Sequence, residues 1–349
     1  MSQSGRGTHA TVDSQTAFPA TQQLPEATAR FKSELADFVV HERLDTPLTG
    51  SGEHLYVYVE KAGCNTEDVR RHLASSYGVA PAAVGYAGRK DKHGITRQWF
   101  SVCTPENEWR CDLPDVTCID RQRHSSKLRP GQHGGNWFKI LLRNPQGWSA
   151  ADLSVLEPGF ANYVGEQRFG TDNLVEAQRW LEANVRPERE AGDGVAEQQR
   201  QSQRKRRGAT RRRSHRVRQQ ESWHVSVLRS WLFNLVVHAR VQQGNVDGLI
   251  DGDVVMDDVA TGPLWGRGRS ATTGAALDIE QQALAAHQSI CHRLEFSGVQ
   301  QGRRKLWVVP RQFEAADVAD GVQVSFELEA GAYATTLLRQ VVHLITERI

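Results

Sequence analysis

Three stretches alternate so strictly between apolar and other residues that they call for a β-sheet with one buried face. Leu55, Val57 and Val59 alternate with Tyr56 and Tyr58. Asn136, Phe138, Ile140 and Leu142 share one side of the run 134–144, and Val322, Val324, Phe326 and Leu328 repeat the pattern near the C-terminus. A period of two puts such residues on one face of a strand. Phe38, Val40 and Glu42 read as a further short strand of the same kind. Other segments change period. Val227, Leu228, Trp231, Leu232, Leu235, Val236 and Ala239 fall at helical spacing and predict a buried helix. Val69, Leu73 and Tyr77 recur every four residues after Asn65, a helix-capping residue, and Gly78 supplies the left-handed stop. A helical segment is also expected up to about Trp180. After the last strand, residues 330–334 turn into an expected helix carrying Leu337, Leu338, Val341, Val342 and Ile345 on one side.

The stretch from Val84 to Val102 concentrates charge. A short apolar strand, 84–87, runs into a turn, and a second strand, 98–102, leaves it. Between them Asp91 stands among Arg89, Lys90, Lys92, His93 and Arg97. Nearby positive charge keeps a carboxylate ionised. Such a group serves as a nucleophile or base, but spacing alone favours a solvated charged turn, which is common and cheap.

With 349 residues the chain has length for two domains. No apolar run approaches a membrane span, and the first residues lack a secretory layout. Residues 1–26 are rich in Ser, Thr, Gln and Gly and read as a disordered tail. The five cysteines share no metal-ligand spacing, which suits reduced thiols in a cytoplasmic protein. Asp247, Asp251, Asp253, Asp257 and Asp258 miss the calcium-loop spacing, so no metal is assigned. Net charge is +2, yet residues 198–218 hold ten Lys and Arg and no acid; without them 33 basic residues face 41 acidic ones. That run suits a polyphosphate backbone, or is a solvated loop without a partner.

Several motifs, in this order, carry a family resemblance: Ala36-Asp37-Phe38-Val39-Val40 with Lys32 upstream, Gly52-Glu53-His54, Gly63-Cys64-Asn65-Thr66, and Ala87-Gly88-Arg89-Lys90-Asp91-Lys92-His93. Gly135-Asn136-Trp137-Phe138, the run 162–170, Arg229-Ser230-Trp231-Leu232-Phe233-Asn234 and Ala330-Gly331-Ala332-Tyr333-Ala334-Thr335 complete the set. Together they resemble the TruD family of tRNA pseudouridine synthases, from Phe31 to the C-terminus. The resemblance implies an α+β fold: a catalytic domain with a largely antiparallel mixed sheet flanked by helices, interrupted by an inserted α/β domain. Here the catalytic domain would comprise 27–161 and 310–349, and the insertion 162–309 with a basic flexible stretch at 190–218.

The implied activity is isomerisation of uridine to pseudouridine at position 13 of tRNA. Carried over by motif, Asp91 matches the catalytic aspartate and Lys32 its basic partner. Phe38 and Asn136 match substrate-contacting positions, and Phe138 matches the ring that packs on the target base. Tyr333 falls where the family often has Phe, which keeps a stacking face and adds a hydroxyl; it could equally be a packing tyrosine. Leu35-Ala36 replaces a common Pro-acid pair, a change expected to loosen that turn. The reaction oxidises nothing and imports no group, so no cofactor and no metal are expected. The implied partner is tRNA, with no membrane and no obligate protein partner. Two rivals remain at this stage: a non-catalytic RNA clamp with the same cleft, and a nucleotide-dependent enzyme using the glycine-rich turns, although no P-loop or dinucleotide pattern is present.

Overall fold

The computed structural model describes residues 26–170, 172–185 and 215–346. The expected N-terminal tail before Glu26 and the basic run 204–213 lie outside the described residues. The chain divides into two compact units, one of residues 161–307 and one built from the segments on either side.

In chain order the strands are β1 (Thr28–Phe31), β2 (Phe38–Arg43), β3 (His54–Ala62), β4 (Val84–Tyr86), β5 (Ile95–Cys103), β6 (Val116–His124), β7 (Gly135–Gln146) and β8 (Phe160–Ala161). They continue as β9 (Val255–Met256), β10 (Val259–Leu264), β11 (Gly302–Lys305), β12 (Trp307–Val308), β13 (Arg311–Val318), β14 (Gly321–Glu329) and β15 (His343–Ile345). The helices are α1 (Thr66–Ser76), α2 (Asn173–Asn184), α3 (His215–Gln242), α4 (Gly274–Leu284), α5 (Gln288–Glu295) and α6 (Ala334–Leu338).

The two-segment unit is a ten-stranded sheet in the order β13-β14-β7-β2-β5-β3-β6, with β1 on β7 and β15, and β4 on β5. Only β1–β15 and β2–β5 run parallel in it. The register shows why one face is buried. Phe38, Val40 and Glu42 lie opposite Ile140, Phe138 and Asn136; Val324, Phe326 and Leu328 lie opposite those same β7 residues. Across the sheet, Val40 neighbours Thr96, and Lys61, Val59, Val57 and Leu55 oppose Thr96, Gln98, Phe100 and Val102. Directly paired residues share a face, so all of these point the same way. Two separate apolar cores form on that face. Phe38, Val40, Phe138, Ile140 and Phe326 pack with Leu337 and Leu338 of α6 in the first. Leu55, Val57, Val59, Phe100 and Val102 pack with Val69 and Leu73 of α1 in the second. Between them runs a buried polar stripe of Glu42, Thr96, Gln98, Lys61 and the α1 residue Thr66.

Two local expectations change. The C-terminal helix stops at Leu338, and His343–Ile345 instead pairs in parallel with β1. Val341 and Val342 are β-branched residues, which lose side-chain freedom in a helix, and the chain beyond them, His343, Leu344 and Ile345, takes up the edge of β1 opposite Thr28, Ala29 and Arg30. Asn65 does occupy the N-cap of α1, but its side chain bonds the Asp68 carboxylate rather than a helix N–H. Gly78 ends the helical segment at φ +63° as expected. The replaced Pro-acid pair leaves the turn intact. Leu35–Asp37 is a 3-10 turn closed by a capping box, and the buried Asp37 carboxylate accepts both Nε and Nη2 of Arg143 at 2.8–3.0 Å.

The 161–307 unit is organised around α3, whose Val227, Leu228, Trp231, Leu232 and Val236 are buried as the spacing predicted, while Leu235 and Ala239 are half-buried. The fully buried Asn234 accepts from the Val164 N–H at 2.8 Å and donates to its carbonyl at 3.0 Å. That reciprocal pair explains why two distant motifs need an asparagine and an extended backbone. Asp253, from the aspartate-rich loop, pairs with the buried Arg240 at 2.8 Å.

Candidate active site

Asp91 sits in the connection from β4 to β5, directly over the polar stripe, and that stripe holds its loop residue by residue. Gln98 Nε2 donates to the Gly88 carbonyl at 3.0 Å, and Thr66 Oγ1 accepts the Lys90 N–H at 2.9 Å while donating to Gln98 Oε1 at 2.7 Å. Lys90 Nζ reaches Glu42 Oε2 at 2.7 Å; the other Glu42 oxygen accepts the Trp99 N–H at 3.0 Å. Lys61 Nζ donates to the carbonyls of Asp91 and Cys64 at 2.8 and 2.7 Å. The His93 N–H donates to Asp91 Oδ1 at 3.2 Å. Only the Thr96 hydroxyl in the stripe lacks a partner; the bonds made by Gln98, Thr66, Glu42 and Lys61 rigidify the loop they hold.

The remaining Asp91 oxygen meets Lys32 Nζ in a close ion pair. The two residues reach each other from different parts of the chain because β1 ends at Phe31 and the backbone reverses at Lys32, where φ is +61°. A left-handed conformation costs a non-glycine residue on the order of 1 kcal/mol and tends to persist where the surroundings over-determine it. The ammonium also stands 3.9 Å from the Phe38 ring centroid. Phe38 in turn lies edge-on to Phe31 at 5.6 Å and 6.2 Å from Phe138.

Partial burial pushes the Asp91 carboxyl upward, but the Lys32 charge and hydrogen bond, with help from His93, outweigh it and leave it below its ordinary value. Burial pulls Lys32 down, opposed by Asp91. The direction that matters is the first: Asp91 is held as a carboxylate. Its side chain keeps 28% of its surface exposed, whereas Lys32 keeps 7%, so the carboxylate is the partner a solute can reach.

Contacts therefore link Asp91, Lys32, Phe38 and Phe138 into one continuous set. Asn136 shares the Phe138 face, and its Oδ1 is buried without a hydrogen-bond partner. Tyr333 is the half-buried residue before α6, and no ring contact or side-chain hydrogen bond joins it to the set among the described residues. Phe38 and Phe138 are both largely covered, at 7% exposure each, within the first core. Sequence reading passed over Lys61, Thr66, Gln98 and the pairing of Glu42. The available signal was the strand period itself, since Lys61 continues the inward series of Leu55, Val57 and Val59.

The Glu42–Lys90 pair is more deeply enclosed than the Lys32–Asp91 ion pair, with side-chain exposures of 0% and 6%. Glu42→Leu is expected to cost about 3–5 kcal/mol of unfolding free energy, because it strands a buried ammonium. Urea titration of the variant beside the parent chain measures this.

The fold has solved counterparts. A structure described as the putative tRNA pseudouridine synthase D of Methanosarcina mazei superposes with a TM-score of 0.62 at 19% identity, covering 94% of this chain and 97% of that one. The tRNA pseudouridine synthase D (TruD) family model matches residues 19–178. The tRNA pseudouridine synthase D of Cellvibrio japonicus is 36% identical over 95% of this chain and 94% of its own length. That of Pseudoalteromonas atlantica is 32% identical over 92% and 94%. An α+β chain with a largely antiparallel mixed sheet thus has close relatives along almost its whole length. It belongs to the tRNA pseudouridine synthase D family.

Proposed function

We propose that this chain is a tRNA pseudouridine synthase that isomerises uridine at position 13, with Asp91 as the catalytic group. The observation that carries the reading is the Lys32–Asp91 ion pair, seated over an ordered polar stripe in a chain of this family. The base leaves its stack and meets the exposed side of the Asp91 carboxylate. Asp91 then acts on the nucleoside, either as nucleophile at the sugar C1′ or as base in a glycal route. The C1′–N1 bond breaks, the uracil turns, and a C1′–C5 bond forms; C5 loses its proton and N1 gains one. Atoms balance without an oxidant or group donor, so the reaction is proposed to need neither cofactor nor metal.

Lys32 keeps Asp91 ionised. Phe38 and Phe138, each left only 7% exposed by the core, are proposed to meet the base with the ring edge that remains open, a smaller contact than the roughly 1–3 kcal/mol of a fully stacked base. The unpartnered Asn136 Oδ1 suits the uracil N3–H. Tyr333 is proposed as a further substrate contact from the start of α6. Residues 162–309 would form the inserted domain that holds tRNA with the basic stretch 190–218, acting in the cytoplasm.

Incubating the protein with unmodified tRNA in chelator-treated, cofactor-free buffer, then mapping pseudouridine, tests the whole proposal. New pseudouridine at position 13 alone is expected. Binding without modification would favour an RNA clamp instead. A narrower result concerns Gly94, where an added Cβ would fall 2.5 Å from the Phe38 carbonyl oxygen and 2.8 Å from its ring. Gly94→Ala must displace Phe38 or the Asp91 loop. It is expected to lower kcat about 10- to 100-fold, as displacements near 1 Å do, in single-turnover assays at saturating tRNA.

A further inference from the structure

Lys61 is fully buried, at 0% exposure, on the inward face of β3. A lysine so placed normally meets a carboxylate, yet Lys61 Nζ donates to main-chain carbonyls, of Asp91 at 2.8 Å and of Cys64 at 2.7 Å. The two carbonyls belong to different connections, one leading from β3 into α1 and the other from β4 into β5. We propose that Lys61 is a positioning residue for the reaction: its ammonium ties the Asp91 main chain to the start of α1 and so fixes where the Asp91 carboxylate stands.

The proposal rests on the reading of Asp91 given above. Lys32 contacts the Asp91 carboxylate from one side, and Lys61 holds the backbone of the same residue from beneath. A charge-assisted bond to a carbonyl is roughly twice as strong as a neutral one, so the grip depends on protonation. Burial pushes Lys61 down to about 8, with the Cys64, Asp91 and Asp68 groups raising it and the neighbouring Lys90 ammonium lowering it further. The ammonium therefore holds the loop at neutral pH, and the grip weakens as pH rises through that value.

Steady-state and single-turnover rates of Lys61→Met, Lys61→Arg and Asp91→Asn on tRNA, from pH 6 to 9.5, test this beside thermal unfolding curves. Lys61→Met should lose at least about tenfold in kcat with KM for tRNA unchanged. Lys61→Arg, which keeps its charge throughout this range, should recover part of kcat and flatten the decline of the parent above pH 8. Should Lys61→Met fold too poorly to assay, the parent and Lys61→Arg profiles decide. Identical profiles in those two, or a parent-like kcat in folded Lys61→Met, would overturn the proposal. Full activity in Asp91→Asn would instead remove the catalytic reading on which it stands, a separate outcome from an inactive Asp91→Asn beside an unaffected Lys61→Met.

Discussion

Asp91→Asn should lose pseudouridine formation by about a thousandfold or more while binding tRNA with unchanged affinity. The substitution keeps the shape and an oxygen for the His93 N–H, so the loop contacts made by Gly88, Lys90 and the Asp91 carbonyl are untouched. What disappears is the negative charge and, with it, the capacity to attack C1′ or remove a proton. Removing such a group commonly costs two to four orders of magnitude, on the order of 3–5 kcal/mol in the barrier. Since the loss would be in kcat rather than KM, it reports an interaction made in the transition state. The check is single-turnover modification together with filter binding. Retained modification would remove Asp91 from the chemistry.

Lys32→Met should be nearly as damaging, about a hundredfold at neutral pH, and its signature lies in the pH profile. In the parent chain burial raises the Asp91 pKa, and Lys32 together with the smaller His93 contributions more than reverses that. Without Lys32 only the His93 contributions oppose burial, so the carboxyl titrates higher. The acid limb of kcat should therefore move to higher pH. Stability follows the same sign. A carboxylate with a depressed folded pKa adds stability above its unfolded pKa, and that contribution disappears as pH falls through the folded value. Lys32→Met lacks it, so acid unfolding should begin at a higher pH than in the parent. Unmoved acid limbs in both measurements would contradict the assignment.

Alternation made the inward faces of β2, β3, β7 and β14 legible, and with them the common side of Asn136 and Phe138. It did so because apolar burial on one sheet face leaves a period of two. The same rule failed at the polar stripe, where Lys61 and Gln98 point inward and an apolar count stops short of them. The approach of Lys32 to Asp91, 59 residues apart, leaves no local pattern; the family resemblance supplied it. At the C-terminus, helical spacing of Leu337, Val341 and Ile345 misled beyond Leu338, because the edge of β1, far away in sequence, takes His343 to Ile345 as a strand. The basic run 204–213 lies outside the described residues.

The sheet order carries a consequence for synthesis. The half containing β3 to β6 comes from one continuous stretch, residues 54–124, and can pair while the chain is still emerging from the ribosome. The other half joins β1, β2 and β7 to β14 and β15, across the whole 161–307 unit. Loop closure over such a span is slow relative to local pairing. A nascent chain would thus carry Asp91 on a finished half-sheet long before β14 arrives to pair with β7 beside Asn136 and Phe138. The sheet would be complete only when translation ends, and a chain truncated before residue 321 would have the aspartate without the strand that flanks Asn136 and Phe138.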